Sequence, residues 1–373
     1  MQYSLNSTRT QPWDALPELP LAPALYETIP VYAQLARSRA ALGRLQGRSA
    51  VIPNQGLLLN PISLLEAKAS STIENTFTTD DDLYRAFSEQ TFRQGETCSG
   101  AIKQVLRYRE ALWHGHDYLR GRADFNQEYF VRVYRQLQPT GDGLRPSPVV
   151  KHDGMVSDVG AGTFTPPRGT GSLKDRLANL LTFMNDDERY PLDPLLKMAI
   201  GHFQFEAIQP FGEGNGRAGR VFNIHYLTHK GLLAYPILLL SKYIVTYKAE
   251  YYATLNGVAQ RGDWAAWLLF MLRAIEVTAT DTYHKINDIM AAKDAVLRAV
   301  LTNTRLEHPE QLVNMLFTQP FTTVKHLTNA RLYTESIAHK YLNQLTEIGV
   351  LGVRSIDDHQ YYINLELHRI LNK

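Results

Sequence analysis

Residues 209 to 220 read Gln-Pro-Phe-Gly-Glu-Gly-Asn-Gly-Arg-Ala-Gly-Arg. The proline at position 210 disfavours helical geometry at Gln209, so an upstream helix is predicted to end near Ile208. Three glycines within the next few positions then allow a tight loop in which the backbone can approach a ligand closely. A new helix is predicted to begin at about Arg217.

The start of this second helix is suited to binding a polyphosphate. Its first N–H groups and the positive end of its dipole attract anions. Arg217 and Arg220 are three residues apart on one face, and their guanidinium groups match phosphate oxygens. Glu213 offers a carboxylate oxygen for the Mg²⁺ that accompanies such a phosphate. The stretch therefore favours a phosphate site over the plainer alternative, a glycine-rich turn with solvated arginines.

Two familiar phosphate-binding patterns do not describe this stretch. Residues 214–219 match G-x-G-x-x-G, but no predicted strand precedes them, and the residue about twenty positions on is Leu239 rather than an acid. The sequence contains no G-x-x-x-x-G-K-[ST]. A dinucleotide-binding Rossmann unit and a P-loop are therefore both excluded.

The stretch resembles the signature of the Fic (Fido) domain family, H-P-F-x-[DE]-G-N-G-R-x-x-R, at every fixed position except the first, which is Gln209. Residues 70–75, Ser-Ser-Thr-Ile-Glu-Asn, resemble the inhibitory motif [ST]-x-x-x-E-[GN] of the subclass whose inhibitory helix is N-terminal. Residues 140–171, which are rich in glycine and proline, are predicted to form a hairpin at Asp153-Gly154. This hairpin resembles the flap that positions the family's target.

The resemblance implies a protein adenylyltransferase (AMPylator), which transfers AMP from ATP to a Ser, Thr or Tyr hydroxyl of a target protein held at the flap. It implies phosphate-bound Mg²⁺ at Glu213 and autoinhibition by Glu74, which would reach Arg220 and occupy the space of the γ-phosphate. Tyr252 would border the adenine. The residues implied in nucleotide binding are Gly214, Asn215, Gly216, Arg217, Ala218, Gly219, Arg220 and Tyr252.

Gln209 occupies the position of the family's catalytic histidine, which takes the proton of the attacking hydroxyl. A primary amide can orient a hydroxyl but has no basicity to accept its proton. Transfer is therefore expected to be impaired, whereas nucleotide binding is not. His202 and His225 are nearby substitutes, although each favours a structural role. The alternative function is a catalytically inactive, ATP-binding regulator with a winged-helix output.

The predicted fold is mainly α: a Fic-type helical core with a β-hairpin flap and a C-terminal winged-helix domain. Residues 1–95 are assigned to an N-terminal helical region with the inhibitory helix, 96–290 to the Fic core and 300–373 to a winged helix-turn-helix. The winged-helix prediction rests on three helices and two strands, at residues 310–317, 323–328, 334–348, 350–354 and 361–365. Elsewhere helices are predicted at residues 31–48, 62–72, 81–90, 100–119, 126–137, 173–184, 241–259 and 264–287.

The composition excludes several kinds of site. A net charge of +2 gives no global attraction to nucleic acid or membrane. The single cysteine, Cys98, excludes an intrachain disulfide and a cysteine-based zinc cluster. No apolar run is long enough to span a bilayer, so a cytoplasmic protein is expected. DNA binding stays a weak alternative to protein docking, because Asp357 and Asp358 at the wing tip would repel phosphates. A homodimer also stays open.

Overall fold

The computed structural model describes residues 16–52, 56–90, 99–122, 124–145, 170–356 and 359–373. A short 3₁₀ turn (Pro23–Leu25) precedes the helices. The first eight helices are α1 (Ile29–Ala50), α2 (Gly56–Ile73), α3 (Asp80–Gln90), α4 (Gly100–Leu119), α5 (Gln127–Leu137), α6 (Thr170–Asn185), α7 (Pro194–Ile208) and α8 (Asn215–His229). Those that follow are α9 (Leu240–Thr246), α10 (Lys248–Arg261), α11 (Trp264–Asn303), α12 (Pro309–Leu316), α13 (Val324–Asn329), α14 (Glu335–Glu347) and α15 (Leu365–Leu371).

Three strands form one small antiparallel sheet near the C-terminus. They are β1 (Phe321–Thr322), β2 (Leu351–Ile356) and β3 (His359–Asn364), in the spatial order β1-β3-β2. The register places Val353 opposite Tyr362. The described residues are thus mainly helical, as predicted, and the sheet belongs to the C-terminal part of the chain.

The core is organised around α7, in which every residue from Leu195 to Ile208 is buried. The helix begins at Pro194, because Asp193 accepts a hydrogen bond from the Leu195 N–H at 2.8 Å and proline occupies the first turn. Helix α8 packs beside α7 and also contacts α4 and α5. Helix α2 packs against α4, α8 and α9, and α1 packs along α11. The loop between α7 and α8 is therefore held by a rigid, buried pair of helices.

Several boundaries differ from the predictions. Helix α2 begins at Gly56 rather than at residue 62, so Pro61 lies inside it. Pro61 removes only one backbone hydrogen bond from a helix that neighbouring helices support. The region predicted as one helix at 241–259 is divided at Tyr247 into α9 and α10. Helix α11 runs on to Asn303, through the stretch between the predicted core and the predicted C-terminal domain. The predicted hairpin falls almost entirely on residues 146–169, which lie outside the described residues.

The C-terminal part contains the three helices and two strands that the sequence predicts, together with β1 and α15, which it does not. It rests against α3 and α11. Asp81 of α3 accepts hydrogen bonds from Arg354 of β2 and from His368 of α15, the latter at 3.0 Å. Lys285 of α11 donates to the Ile370 carbonyl at 2.6 Å. The contacts of Asp81 join the C-terminal part to α3, the helix that follows residues 70–75, and the contact of Lys285 joins it to α11.

Candidate nucleotide site

Glu74 stands at the C-terminal end of α2 and faces both arginines of α8. Its Oε1 accepts a hydrogen bond from Arg220 Nη2 at 2.9 Å, and its Oε2 lies 2.8 Å from Arg217 Nε. The second contact is an ion pair by distance, but the Arg217 Nε–H does not point at the oxygen well enough for a hydrogen bond. One carboxylate therefore neutralises both cations that the sequence analysis assigns to phosphate.

Asn75 explains why the inhibitory motif ends in Gly or Asn. Its φ of 57° is left-handed, a conformation that glycine and asparagine adopt most readily at the end of a helix. This turn ends α2 directly beside Glu74. The Asn75 Oδ1 also accepts a hydrogen bond from Lys248 of α10 at 3.0 Å, which joins the end of the motif to the start of α10.

Arg220 is almost completely buried and is tied to the same motif by a second residue. Its Nε donates to Ser70 Oγ at 2.8 Å and its Nη2 to the Ser70 carbonyl at 3.0 Å. Burial alone would lower the pKa of Arg220, but the Glu74 carboxylate, together with Tyr108, Tyr251 and Glu206, raises the pKa above its ordinary value. The guanidinium is therefore a permanent, pre-oriented charge at the first turns of α8.

The loop from Gln209 to Asn215 is held by hydrogen bonds within the loop and by one ring stack. The Asn215 side chain accepts from the Phe211 N–H and donates to the Phe211 carbonyl, both at 2.9 Å. The Phe211 ring stacks on Tyr134 with centroids 4.0 Å apart. Gly214 has a φ of +72°, a conformation that favours glycine. It directly precedes α8, which begins at Asn215, two residues before the predicted start at Arg217. This geometry leaves the first N–H groups of α8 directed at the space beside the arginines.

Gln209 takes a left-handed conformation, with φ 46° and ψ 68°, immediately after α7. Arg145, which the sequence analysis did not single out, holds this turn. Its Nε donates to the Gln209 carbonyl at 2.6 Å and its Nη2 to the Ile208 carbonyl at 3.2 Å, while its N–H donates to the Pro210 carbonyl at 2.8 Å. A cation at a helix C-terminus satisfies exposed carbonyls and the dipole together. Position 209 is therefore fixed in space whatever its side chain.

The two nearby histidines are built into the core. His202 Nε2 lies 2.9 Å from the Tyr251 hydroxyl, and His225 lies 2.7 Å from both the Tyr129 hydroxyl and the Leu112 carbonyl. Burial lowers the pKa of each histidine to about 3. Neither ring is exposed to a substrate, so neither can replace the missing histidine as a base.

Glu213 and Tyr252 lie at the edges of the site. Glu213 is exposed and its Oε1 accepts a hydrogen bond from Gln138 Nε2 at 2.9 Å. No group of three or more potential metal ligands occurs within the described parts of the chain. One exposed carboxylate fits a Mg²⁺ that is held mainly by phosphate oxygens and water. Tyr252 of α10 is half-buried, and burial raises the pKa of its hydroxyl, with Arg220 acting in the opposite direction.

Glu206 is another residue beside α8 that no sequence motif marks. This carboxyl of α7 is buried, its Oε1 has no hydrogen-bond partner, and burial raises its pKa to about 7, opposed by the charge of Arg220. It lies against Gly219, where an added Cβ would sit 2.6 Å from Glu206 Oε1. Gly219 and the buried Ala218 therefore allow α8 to pack closely on α7.

Gly219→Ala is expected to destabilise the fold by about 1–3 kcal/mol, because the new methyl group would overlap Glu206 and Phe205 in a closely packed interface. Gly47→Ala is the matched control, since it lies inside α1 with nothing within 4 Å of an added Cβ. That substitution should stabilise the protein by about 0.5–1 kcal/mol. Denaturant unfolding of both variants measures the two free energies, and equal effects would contradict the packing described for Gly219.

Three parts of the chain match known protein families. Residues 32–117 match the Fic/DOC family N-terminal domain, and residues 124–227 match the Fic/DOC family domain. Residues 299–367 match the C-terminal domain of SoFic-like protein adenylyltransferases. Together these three matches span more than half of the chain.

The chain belongs to the Fic family.

Solved structures of other members share the fold of this Fic protein. A Fic family protein from Desulfovibrio desulfuricans G20 aligns over 93% of this chain and 98% of its own, with a TM-score of 0.56 and 16% identity. Fic-1 from Caenorhabditis elegans aligns over 70% of this chain and 74% of its own, with a TM-score of 0.53 and 18% identity. Identities this low show the fold alone.

Curated relatives match a shorter stretch. Protein adenylyltransferase fic-1 of Caenorhabditis briggsae is 30% identical over 123 residues, which is 33% of this Fic protein and 23% of the relative. Protein adenylyltransferase Fic of Drosophila willistoni is 28% identical over 160 residues, 43% of this chain and 29% of the relative. The chain thus spans about a quarter of the length of these relatives. No helix within the described ranges is long and apolar enough to cross a membrane.

Proposed function

We propose that this chain is a protein adenylyltransferase that transfers AMP from ATP to a hydroxyl of a target protein, is autoinhibited by Glu74 and is slowed by Gln209. The observation that carries the proposal is the pairing of Glu74 with both Arg217 and Arg220. A carboxylate on two buried guanidinium groups at a helix N-terminus is a substitute for a phosphate. Relatives named protein adenylyltransferases support the choice of reaction.

The reaction requires a proton acceptor that this chain lacks at position 209. The target's hydroxyl oxygen attacks the α-phosphorus of ATP, the bond to pyrophosphate breaks, and the hydroxyl proton must leave. Arg217, Arg220 and the N–H groups of α8 would hold the departing phosphates and stabilise their charge. Mg²⁺, bound through phosphate with Glu213, would supply further neutralisation. Gln209 can hydrogen-bond the attacking hydroxyl but cannot take its proton.

A second candidate function is an ATP-binding regulator without transfer. It is favoured by one observation: His202 and His225, the two histidines nearest to Gln209 in the sequence, are both buried and hydrogen-bonded in the core. In that case, contacts between α3 and the C-terminal part would carry the signal. The two functions differ in whether AMP ever becomes covalently attached to protein.

Labelled ATP distinguishes the two functions. Glu74→Gly, which keeps Gln209, should slowly attach label to protein from ATP labelled at the α-phosphate, and Glu74→Gly/Gln209→His should do so faster. Neither variant should attach label from ATP labelled at the γ-phosphate. A γ-label on protein would instead indicate phosphoryl transfer, a different reaction. If neither label appears on protein although ATP binds, the regulator is the better description.

A further inference from the structure

The turn that carries Glu74 lies at the end of α2, where the chain leaves the core. Ser70 and Ile73 are buried, whereas none of residues 74–80, all of which the structure describes, is buried, and Phe77 is 70% exposed. Segments with little buried surface are the least stable parts of a fold. The position of the Glu74 carboxylate therefore depends on a small number of polar contacts rather than on packing.

Contacts of three kinds hold this turn. The first are the contacts of Glu74 with the two arginines of α8. The second is a backbone hydrogen bond from the Thr76 N–H to the Ser71 carbonyl at 3.1 Å. The third comes from α10, whose Lys248 donates from Nζ to Asn75 Oδ1 at 3.0 Å. Helix α2 itself packs against α4, α8 and α9, so this last contact reaches the turn from a fourth helix.

Lys248 lies on the face of α10 that borders the nucleotide site. It is four residues before Tyr252, so the two side chains share one face of the helix. Burial raises the pKa of the Tyr252 hydroxyl, and the nearby charges of Arg220 and Glu74 act on it in opposite directions. This face of α10 is therefore close to the pair of charges that Glu74 and Arg220 form, and Lys248 contacts the end of the motif from the rim of the site.

We propose that Lys248 is a positioning residue for autoinhibition, which holds the Asn75 amide and thereby keeps the Glu74 carboxylate on Arg217 and Arg220. The inference rests on the proposed function, in which Glu74 excludes the γ-phosphate of ATP. The hydrogen bond has a charged donor, which makes it stronger than a neutral one. Asparagine offers an acceptor that glycine lacks, so Asn75 adds this contact to a turn that either residue could form.

The test is the affinity of ATP and of ADP, measured by titration calorimetry with Mg²⁺ present. Lys248→Met removes the ammonium group but keeps an unbranched side chain that favours a helix. It should strengthen ATP binding by about 2- to 10-fold, as expected for one lost hydrogen bond, and ADP binding much less. Lys248→Arg keeps a charged donor and should restore the original affinities. Lys293→Met, in the C-terminal half of α11, removes the same charge from the protein and should change neither affinity.

A substitution on the other side of the contact checks that this hydrogen bond is the cause. Asn75→Gly keeps the left-handed turn but removes the acceptor. Its effect on ATP affinity should be larger when Lys248 is present than in Lys248→Met, because both substitutions remove the same bond. In a Glu74→Gly background, Lys248→Met should no longer favour ATP over ADP.

Three results would overturn the proposal although Glu74→Gly itself strengthens ATP binding. The first is weaker ATP binding in Lys248→Met, which would make Lys248 a direct phosphate ligand. The second is full additivity of Lys248→Met and Asn75→Gly, and the third is an undiminished effect of Lys248→Met in the Glu74→Gly background. If Glu74→Gly does not strengthen ATP binding, the autoinhibition itself is contradicted, so the two failures are distinguishable.

Discussion

Gln209→His is expected to raise the rate of AMP transfer by about 10²–10⁴-fold when it is made in a Glu74→Gly background. The reason is that the substitution supplies a base with a pKa near neutrality at a position that Arg145 already fixes. The left-handed conformation of residue 209 is one that histidine adopts more often than most residues. The rate of α-label incorporation under single-turnover conditions measures the effect.

Gln209→Asn is the control for this prediction, because asparagine tolerates the same backbone conformation but offers no base. It should leave the rate unchanged. The histidine variant should also gain a pH dependence, with the rate rising as pH increases through about 6.5, because only the neutral imidazole accepts a proton. An equal gain in both variants would show that the amide of Gln209 hinders transfer for a reason other than missing basicity.

Glu74→Gly is expected to lower the free energy of unfolding by about 1–3 kcal/mol in the absence of nucleotide. Two arginines, one of them almost completely buried, lose the carboxylate that neutralises them. Ser70 still accepts hydrogen bonds from Arg220, so the loss of stability should be smaller than for a buried charge without any partner. Thermal unfolding with and without ATP and Mg²⁺ measures the effect.

ATP should reverse this loss, because its phosphates can replace the carboxylate on both arginines. A ligand at a hundred times its Kd stabilises a protein by about 2.7 kcal/mol. The stabilisation by ATP should therefore be larger in Glu74→Gly than in the unmodified chain. Glu74→Gln keeps the side-chain length without the charge and should lie between the two. Equal stabilisation by ATP in all three proteins would contradict the role given to Glu74.

The loop that defines the site could be predicted from the sequence because its causes are local. Pro210 ends α7, Gly214 accepts a positive φ, and Asp193 caps α7, each within a few residues of the effect. The same holds for Asn126, which accepts a hydrogen bond from the Tyr129 N–H at the start of α5. The presence of most helices, and where they begin and end, can be predicted from such local signals.

Other features depend on contacts between distant parts of the chain. Arg145 is 64 residues from Gln209, and nothing in the sequence around Arg145 marks it as the residue that holds the turn at Gln209. Glu206 is an ordinary carboxylate in the sequence, and only the close packing of α8 shows that it is buried without a partner for Oε1. Helix α2 extends upstream of its predicted start at residue 62 and includes Pro61. The disfavoured proline is a local signal, whereas the packing of α2 against α4 and α9 depends on distant parts of the chain.

The affinities of ATP and ADP for the unmodified chain and for Glu74→Gly show whether Glu74 takes the place of the γ-phosphate. Titration calorimetry with Mg²⁺ present gives all four values. Glu74→Gly should strengthen ATP binding by about 5- to 150-fold, the range of a typical coupling free energy, and ADP binding much less. Equal strengthening for ATP and ADP, or none for either, would contradict the account.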